Sequence, residues 1–313
     1  MSEITELHQI DLDNGQIAKP SWSLNGRFLA VPTESGSIVI FDAGTMQIIN
    51  TLGPHSGAVT TVGWNREGEF IVSGSLDRSI GVWEVKNGRR VGIVIGGHKE
   101  PLHSMEYTNE GAFAMTCSRD RVRALDGFCL ESGWFTEVED EVSTTYKEFS
   151  AASCSFNTTL LLALAAKNGS LLLLVTLLTA DVLGQVPMKQ PIRTLAWSQA
   201  ETLLAVATGQ SVYTFPATTE AFTGSPRQLT AEAYVDALAF SSDGTLLASR
   251  DAQGLKVWAV KTGKLITKVD DKEPVQAGRP APAIAFHPSK PILAMVTANG
   301  IGLRILDFSK AQV

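Results

Sequence analysis

Two of the five histidines, His98 and His103, are close enough in sequence to raise the question of shared chemistry. Imidazole nitrogens bind transition metals, and a pair of them can form half of a tetrahedral site. These two lie five positions apart in a predicted loop and match no standard metal-binding motif. We therefore predict no metal site and no cofactor, and we expect His98 to be a structural hydrogen-bonding residue.

Residues that could do other chemistry are equally scattered. The sequence contains no Gly-x-Ser-x-Gly elbow, no Walker loop and no dinucleotide-binding glycine pattern. The acidic pair Asp270–Asp271 and the acidic run at 137–141 could be read as acid pairs or cation ligands, but a solvated acidic loop is the simpler interpretation. We predict no catalytic residues and no enzymatic activity.

The bulk composition describes a globular chain. Of its 313 residues, 44% are hydrophobic and 19% are charged, which permits a large buried core. The net charge of −6 argues against a general nucleic-acid-binding surface, because such surfaces need clustered lysine and arginine. Three cysteines without a Cys-x-x-Cys pair fit a reducing compartment, and the acidic first residues do not resemble a secretory signal. We therefore expect a cytoplasmic protein.

One strand pattern recurs along the whole chain and must position any functional residue. In its clearest copy, an alternating strand over 59–64 ends in a tryptophan, and two further strands follow at 70–74 and 79–84. The aromatic residue that ends the first strand recurs at intervals of 41 to 49 residues, at Trp22, Trp64, Tyr107, Phe156, Trp197, Phe240 and Phe286. A period of roughly 40–45 residues with four short strands is typical of β-propellers.

We predict a single all-β domain over residues 1–313, a seven-bladed β-propeller of four-stranded antiparallel blades. The blades fall at about 15–53, 54–96, 97–143, 144–187, 188–229, 230–270 and 271–313. The last repeat lacks an outer strand, whereas an additional alternating strand is available at 4–12. We expect this N-terminal strand to complete the last blade, because closure removes the exposed edges that open sheets present.

A leucine-rich stretch at 160–178 raises the question of a membrane span. Residues 167–170, with the sequence Lys-Asn-Gly-Ser, divide the stretch into two apolar runs. Each run is shorter than the roughly 18 residues that a spanning helix needs. The pattern instead predicts two buried strands joined by a tight turn, and we expect no membrane contact.

Several short motifs in these repeats are similar to those of the WD-repeat family. They are Trp83-Glu84 at a third strand, Gly97-His98 and the weaker Pro54-His55 before first strands, and the second-strand segments 73–77 and 116–120. The chain resembles this family over nearly its full length. The resemblance implies a structural hydrogen-bond network, formed in blade two by His55, Ser73, Asp77 and Trp83. Blade three would keep His98, Thr116 and Asp120 but has Leu125 in place of tryptophan, and blade six would keep Trp258 alone.

The resemblance also implies a shared face for the loops that precede first strands and those that join second to third strands. Partners of WD-repeat propellers commonly dock on this loop face. The basic residues that map to it are Arg78, Lys99, Arg119, Arg121, Arg250 and Arg279. Such a cluster on an acidic protein favours an acidic peptide or protein partner. The alternative is that the arginines pair with the neighbouring Asp77, Asp120 and Asp251.

The longest interval, between blades three and four, contains additional aromatic residues beside the acidic run. They are Phe128, Trp134, Phe135, Tyr146 and Phe149. Trp134 and Phe135 are candidate partner-binding residues, because aromatic side chains in insertions often anchor interfaces. Alternatively, the insertion covers the outer edge of blade three.

These features favour a non-catalytic scaffold or adaptor, a subunit of a larger assembly that binds other proteins through its loop face. Two alternatives stay open. One is a propeller enzyme that uses the central channel for a small-molecule substrate, and the other is a nucleic-acid-associated propeller that uses the arginine-rich face.

Overall fold

The structure is a computed structural model that describes residues 4–12, 15, 18–95, 97–107, 113–126, 145–155, 161–176, 179, 181–198, 202–218, 221–271 and 283–310. Within these residues the chain forms short antiparallel sheets arranged as the seven blades of a β-propeller, which confirms the predicted fold class. Several residues named above lie outside the described part, namely Phe128, Trp134, Phe135, Phe156 and Arg279.

The first three blades follow the predicted order of strands. Their strands are β2 (Ser21–Trp22), β3 (Phe28–Pro32), β4 (Ile38–Asp42) and β5 (Ile48–Leu52) in blade one, β6 (Val59–Trp64), β7 (Phe70–Ser75), β8 (Ile80–Glu84) and β9 (Arg90–Val94) in blade two, and β10 (Leu102–Tyr107), β11 (Phe113–Ser118) and β12 (Val122–Asp126) in blade three. The residues that follow β12, 127–144, lie outside the described part.

The other four blades continue the ring. Their strands are β13 (Ala151–Cys154), β14 (Leu161–Ala166), β15 (Leu171–Thr176) and β16 (Val182–Pro187) in blade four, β17 (Ile192–Trp197), β18 (Leu203–Thr208), β19 (Ser211–Pro216) and β20 (Arg227–Thr230) in blade five, β21 (Val235–Phe240), β22 (Leu246–Asp251), β23 (Gly254–Ala259) and β24 (Leu265–Asp270) in blade six, and β25 (Ile284–Phe286), β26 (Ile292–Val296) and β27 (Gly302–Asp307) in blade seven.

The N-terminal strand β1 (Thr5–Asp11) closes the ring, as predicted. It pairs antiparallel with β27, from Thr5 opposite Asp307 to Asp11 opposite Gly302, and so completes a four-stranded blade seven. The guanidinium of Arg304 on β27 donates to Glu6 at 2.7 Å. Just beyond β1, Leu12 is buried in the core between blades seven and one.

The core is divided between neighbouring blades, because each twisted sheet buries its faces against the next sheet. Strands β14 and β15 of the leucine-rich blade four are almost completely buried. Their connection is the predicted tight turn, in which Lys167, Asn168 and Gly169 have φ angles of 51°, 54° and 83°. In the described part of the chain, no helix has the length and hydropathy of a membrane span.

The tryptophans at the ends of three first strands, Trp22, Trp64 and Trp197, tie their blades to the preceding ones. The indole Nε1 of Trp64 donates to the carbonyl of Ser21 in blade one at 2.9 Å, and Trp197 donates to Ser153 in blade four at 3.0 Å. Together with Trp22, these side chains line a central channel with a cavity of about 190 Å³. The spacing of the aromatic residues in the sequence therefore reflects hydrogen bonds between blades as well as packing.

Two hydroxyl side chains at the opposite end of the first strands bond to the next blade. Thr60 lies at a register shift in β6, and its hydroxyl donates to the carbonyl of Leu102 at 2.6 Å. The hydroxyl of Ser150, just before β13 in blade four, likewise donates to the carbonyl of Ile192 in blade five at 3.2 Å. The repeat thus fixes adjacent blades at both ends of the channel, which holds the surrounding loops on a rigid ring.

Candidate functional site

The hydrogen-bond network of blade two lies just below the loop face. The indole of Trp83 donates to Ser73 Oγ at 2.7 Å, and the Ser73 hydroxyl donates to His55 Nε2, also at 2.7 Å. His55 Nδ1 then faces the Asp77 carboxylate at 3.1 Å. Because an ionised carboxylate can only accept, Nδ1 has the imidazole proton and Nε2 accepts the Ser73 hydroxyl. The loop before β6 is thereby fastened to the turn after β7.

Asp77 is the anionic end of this network. Burial opposes its ionisation, but hydrogen bonds from Ser79, the nearby His55 and the amide of Ser56 outweigh this effect and hold the pKa of the carboxyl below its usual range. Burial lowers the pKa of His55, and Asp77 opposes that shift. The network is therefore built around a neutral imidazole and an ionised carboxylate.

Blade three uses one additional hydroxyl. His98 Nε2 lies 3.0 Å from Thr116 Oγ1, whereas His98 Nδ1 lies 2.6 Å from Ser118 Oγ, which in turn donates to Asp120 at 2.6 Å. Asp120 thus reaches the imidazole through Ser118. Burial, followed by the nearby Arg123, lowers the pKa of His98 to about 4.

Blade six retains more of the network than its single tryptophan suggested. Trp258 Nε1 donates to Ser249 Oγ at 2.8 Å, as Trp83 does to Ser73 in blade two. Opposite Ser249 the register places Lys256, and its ammonium lies 2.6 Å from Asp251 with both side chains buried. The sequence signal for this ion pair is a lysine in the middle of an otherwise apolar third strand.

The position of Lys256 corresponds to Gly81 in blade two, which lies opposite Ser73. A Cβ atom at Gly81 would approach His55 Nε2 to 2.9 Å and Trp83 Nε1 to 2.7 Å. Blade two therefore needs glycine at this position to admit the histidine ring. Blade six has a lysine there instead, and its ammonium contacts the acid directly.

The prediction for Arg250 was wrong. Its side chain is completely buried rather than exposed on the loop face. It forms an ion pair with Asp271 and donates to the carbonyl of Asp251 at 3.0 Å. Asp271 also accepts the amide of Ala298 in blade seven at 2.8 Å, so the group joins two blades. The error has a simple cause: β22 extends to Asp251, so Arg250 lies in a strand and not in a turn.

The other predicted basic residues within the described ranges lie on the loop face. Arg78 and Lys99 are exposed, and Arg119 is exposed with its guanidinium 3.9 Å from Glu148. Arg121 pairs with the adjacent Asp120 at 3.1 Å, which supports the alternative of local pairing for that residue.

Three exposed lysines extend this surface and were missed by the sequence reasoning. Lys147 precedes β13, Lys167 lies in the turn between β14 and β15, and Lys189 precedes β17. Basic residues at equivalent loops of successive repeats were the available signal. We call the combined surface on blades two to five the basic sector, composed of Arg78, Lys99, Arg119, Arg121, Lys147, Lys167 and Lys189.

The described end of the blade-three insertion packs against the core. Phe149 is buried in a cluster with Met115 and Leu164, and Tyr146 packs against this cluster. The partner-binding role of Trp134 and Phe135 stays a prediction, because both lie outside the described residues.

The central channel has few groups suited to chemistry. Glu106 is the carboxylate among its lining residues, and it accepts hydrogen bonds from Ser153 Oγ at 3.1 Å and the Cys154 amide at 2.7 Å. Across the described ranges, no group of three or more His, Cys, Asp or Glu side chains could hold a metal ion.

Comparisons with known proteins cover parts of the sequence and the whole fold. A profile of the family described as anaphase-promoting complex subunit 4 WD40 domain matches residues 3–67. The anaphase-promoting complex subunit cdc20 of Dictyostelium discoideum is 26% identical over 122 residues, 39% of this chain and 24% of that protein. The human F-box-like/WD repeat-containing protein TBL1X is 28% identical over 107 residues, 34% of this chain and 18% of that protein. The matches thus span about a quarter or less of these relatives.

A solved structure extends the comparison over the entire ring. The β-propeller domain of Cps50 (Swd1) from Myceliophteria thermophila superposes with a TM-score of 0.80 over 97% of this chain and 99% of that chain, at 17% identity. The fold is therefore that of a seven-bladed β-propeller. The networks of blades two and three and the partial sequence matches support a β-propeller of the WD-repeat type.

Proposed function

We propose that this chain is a non-catalytic scaffold whose basic sector holds an acidic surface of a protein partner. The observation that carries the proposal is an imbalance of charge on the loop face. Among the described residues, the seven cations of the sector share their loops with four carboxylates, those of Asp77, Glu100, Asp120 and Glu148. The whole chain has a net charge of −6, so the positive charge is local.

Three of the four carboxylates are already engaged within the fold, because Glu148 accepts a hydrogen bond from the side-chain amide of Asn168 at 3.0 Å and lies 3.9 Å from the Arg119 guanidinium. Asp77 accepts hydrogen bonds from Ser56 and Ser79, and Asp120 accepts them from Ser118 and the amides of the loop before β10. They screen the neighbouring cations only in part. A surface of this kind attracts a complementary acidic surface and accelerates its association.

Membership in a larger assembly and a cytoplasmic location complete the proposal. The anaphase-promoting complex named for two of the matches is such an assembly, which supports a subunit role here. Within the described residues, Cys117 and Cys154 are buried and outside any disulfide, which is compatible with a reducing compartment.

The test is affinity capture from the native cells with the tagged chain, followed by identification of the bound proteins. The variant Lys99→Glu/Arg119→Glu/Lys147→Glu/Lys167→Glu reverses four exposed charges of the basic sector. The matched control, Lys86→Glu/Arg89→Glu/Lys261→Glu/Lys264→Glu, reverses four exposed charges in the loops between third and fourth strands, on the opposite face.

We expect the sector variant to lose an acidic partner that the wild type and the control variant retain. We also expect the affinity of the wild type for this partner to fall with added salt. Equal capture by both variants contradicts the proposed face. Strong binding of duplex DNA or RNA at low salt, removed by the sector variant, would favour the nucleic-acid alternative instead.

A further inference from the structure

A groove with a volume of about 810 Å³ lies on the side of the ring between blades four and five. Its lining residues belong to the outer strand β16 and to the strands β19 and β20. It is distinct from the central channel, which is lined by the first strands. The loop face meets the groove only at its upper end, near Lys189.

The two walls of the groove have different geometry. Seven consecutive residues, 184–190, line one wall, and the first four belong to β16, so that wall is the edge of β16 with its backbone. On the opposite wall, every second residue of β19 contributes, namely Ser211, Tyr213 and Phe215. Because alternate residues of a strand share one face, this wall is the pleated surface of blade five.

The edge of β16 offers unpaired backbone groups to the groove. β16 is the last strand of its sheet. The amide of Met188 donates inward to Ser170 at 2.9 Å, and Val186 lies opposite Leu172. Since successive residues of an antiparallel strand alternate in direction, the N–H and C=O of Gln185 point away from β15 and toward the open edge.

The side chains of the groove define the chemistry of its occupant. Val186, Met188, Tyr213 and Phe222 are half-buried apolar residues that pack on the inter-blade core. The formal charge among the lining residues is the single positive charge of Lys189. The remaining polar lining consists of amides and hydroxyls, such as Gln228 and Ser211, which bond to each other at 2.9 Å and retain further hydrogen-bonding capacity for a peptide backbone.

We propose that this groove binds an extended apolar segment of a partner protein, which adds as a strand to the free edge of β16 and places a carboxylate against Lys189. Main-chain hydrogen bonds to β16 would supply affinity, and alternate side chains of the segment would pack on Tyr213 and Phe222. This site is a second docking surface that shares Lys189 with the basic sector, and it does not depend on the acidic partner proposed there.

The test begins with a display library of random nine-residue peptides selected on the full chain. The affinity of the selected peptides is then measured by fluorescence polarisation. The diagnostic variant is Gln185→Pro, which removes the outward N–H. Proline is tolerated on edge strands where the N–H faces outward. The matched control is Thr51→Pro on β5, at the corresponding register position of blade one, where the amide bonds to its neighbour Asn50.

We expect the selected peptides to combine alternating apolar residues with a carboxylate. Gln185→Pro should weaken their binding at least about tenfold, because it leaves a carbonyl of the docked peptide without its main-chain partner. Thr51→Pro and the four-charge sector variant should bind them as the wild type does. Failure to select any peptide, or equal affinity for the wild type and Gln185→Pro, overturns the proposal.

A second pair of variants decides the matter if Gln185→Pro does not fold. Val186→Glu adds a negative charge to the groove wall, and Ile49→Glu makes the same change on the exposed outer strand of blade one. Loss of peptide binding with Val186→Glu alone supports the site, and equal binding by both variants overturns it.

Discussion

The Lys256 ammonium lies 2.6 Å from the Asp251 carboxylate, and both side chains are buried inside blade six. Lys256 lies where blade two has Gly81, so the lysine takes over the region that the histidine ring occupies in blade two. The other carboxylate oxygen of Asp251, Oδ1, accepts a hydrogen bond from the amide of Gln253 at 2.8 Å. Blade six thus joins the same parts of the repeat with an ion pair instead of an imidazole.

The first prediction concerns this pair. Lys256→Met should lower the free energy of unfolding by about 3–5 kcal/mol, because it leaves the Asp251 carboxylate buried without its cation. The double variant Lys256→Met/Asp251→Asn should recover much of the loss, since the asparagine is neutral and its oxygen can still accept the Gln253 amide. Urea denaturation of both variants measures the difference, and a double variant less stable than Lys256→Met contradicts the ionic account.

Much of this architecture follows from the sequence because the repeat has a physical cause. Trp64 and Trp197 recur in phase because each indole must reach a carbonyl of the preceding blade, and a repeat that shifted would lose that bond. The extra alternating strand at the N-terminus could be assigned because blade seven otherwise lacks an outer strand. Local patterning and closure are sufficient for these features.

The candidate site was less predictable, because side-chain direction depends on where a strand ends. Arg250 and Arg119 both follow a serine near a second-strand end, yet one is buried and the other exposed. The difference is that β22 reaches Asp251, whereas β11 ends at Ser118. Both strands have six residues, but Arg250 is the fifth residue of β22 and Arg119 is the first residue after β11. This two-residue difference in position relative to the strand end moves an arginine from solvent into an inter-blade interface, and no local propensity specifies it.

The second prediction separates these two arginines. Arg250→Met should destabilise the ring by about 3 kcal/mol or more, because Asp271 then stays buried without its cation. Arg119→Met should change stability by no more than about 0.5 kcal/mol, as is usual for exposed positions. Thermal unfolding of the two variants compares them directly. If Arg250→Met unfolds at the same temperature as the wild type, the ion pair between Arg250 and Asp271 is not buried as described.

The third prediction concerns closure by β1. Deletion of residues 1–14 removes the antiparallel partner of β27, the Glu6–Arg304 pair and the buried Leu12. The exposed edge and the loss from the core should lower the melting temperature of the whole ring by at least about 5 °C. The substitution Leu7→Ser, at an exposed position of β1, is the control and should leave melting nearly unchanged. A truncated chain that melts like the intact one contradicts closure by this strand.

The last prediction follows from the buried imidazole of blade three. The pKa of His98 is about 4 in the folded protein, below the ordinary value of 6.5, so the folded state binds this proton less readily than the unfolded state. Its contribution to stability is therefore complete above pH 6.5 and is lost as the pH falls toward 4. The loss amounts to up to about 3 kcal/mol for a shift of this size.

The variant His98→Gln isolates this effect, because glutamine cannot titrate. It should be less stable than the wild type at pH 7.5, since the bonds to Thr116 and Ser118 are altered, and the difference should shrink steadily at pH 6.5, 5.5 and 4.5. Asp120 does not interfere in this window, because its pKa lies below its ordinary value of 3.8: burial opposes that shift but is outweighed by hydrogen bonds from Ser118 and from the backbone amides of Lys99 and Glu100. Urea denaturation at the four pH values gives the two curves. Parallel curves would mean that His98 is not the buried neutral link between Thr116 and Ser118.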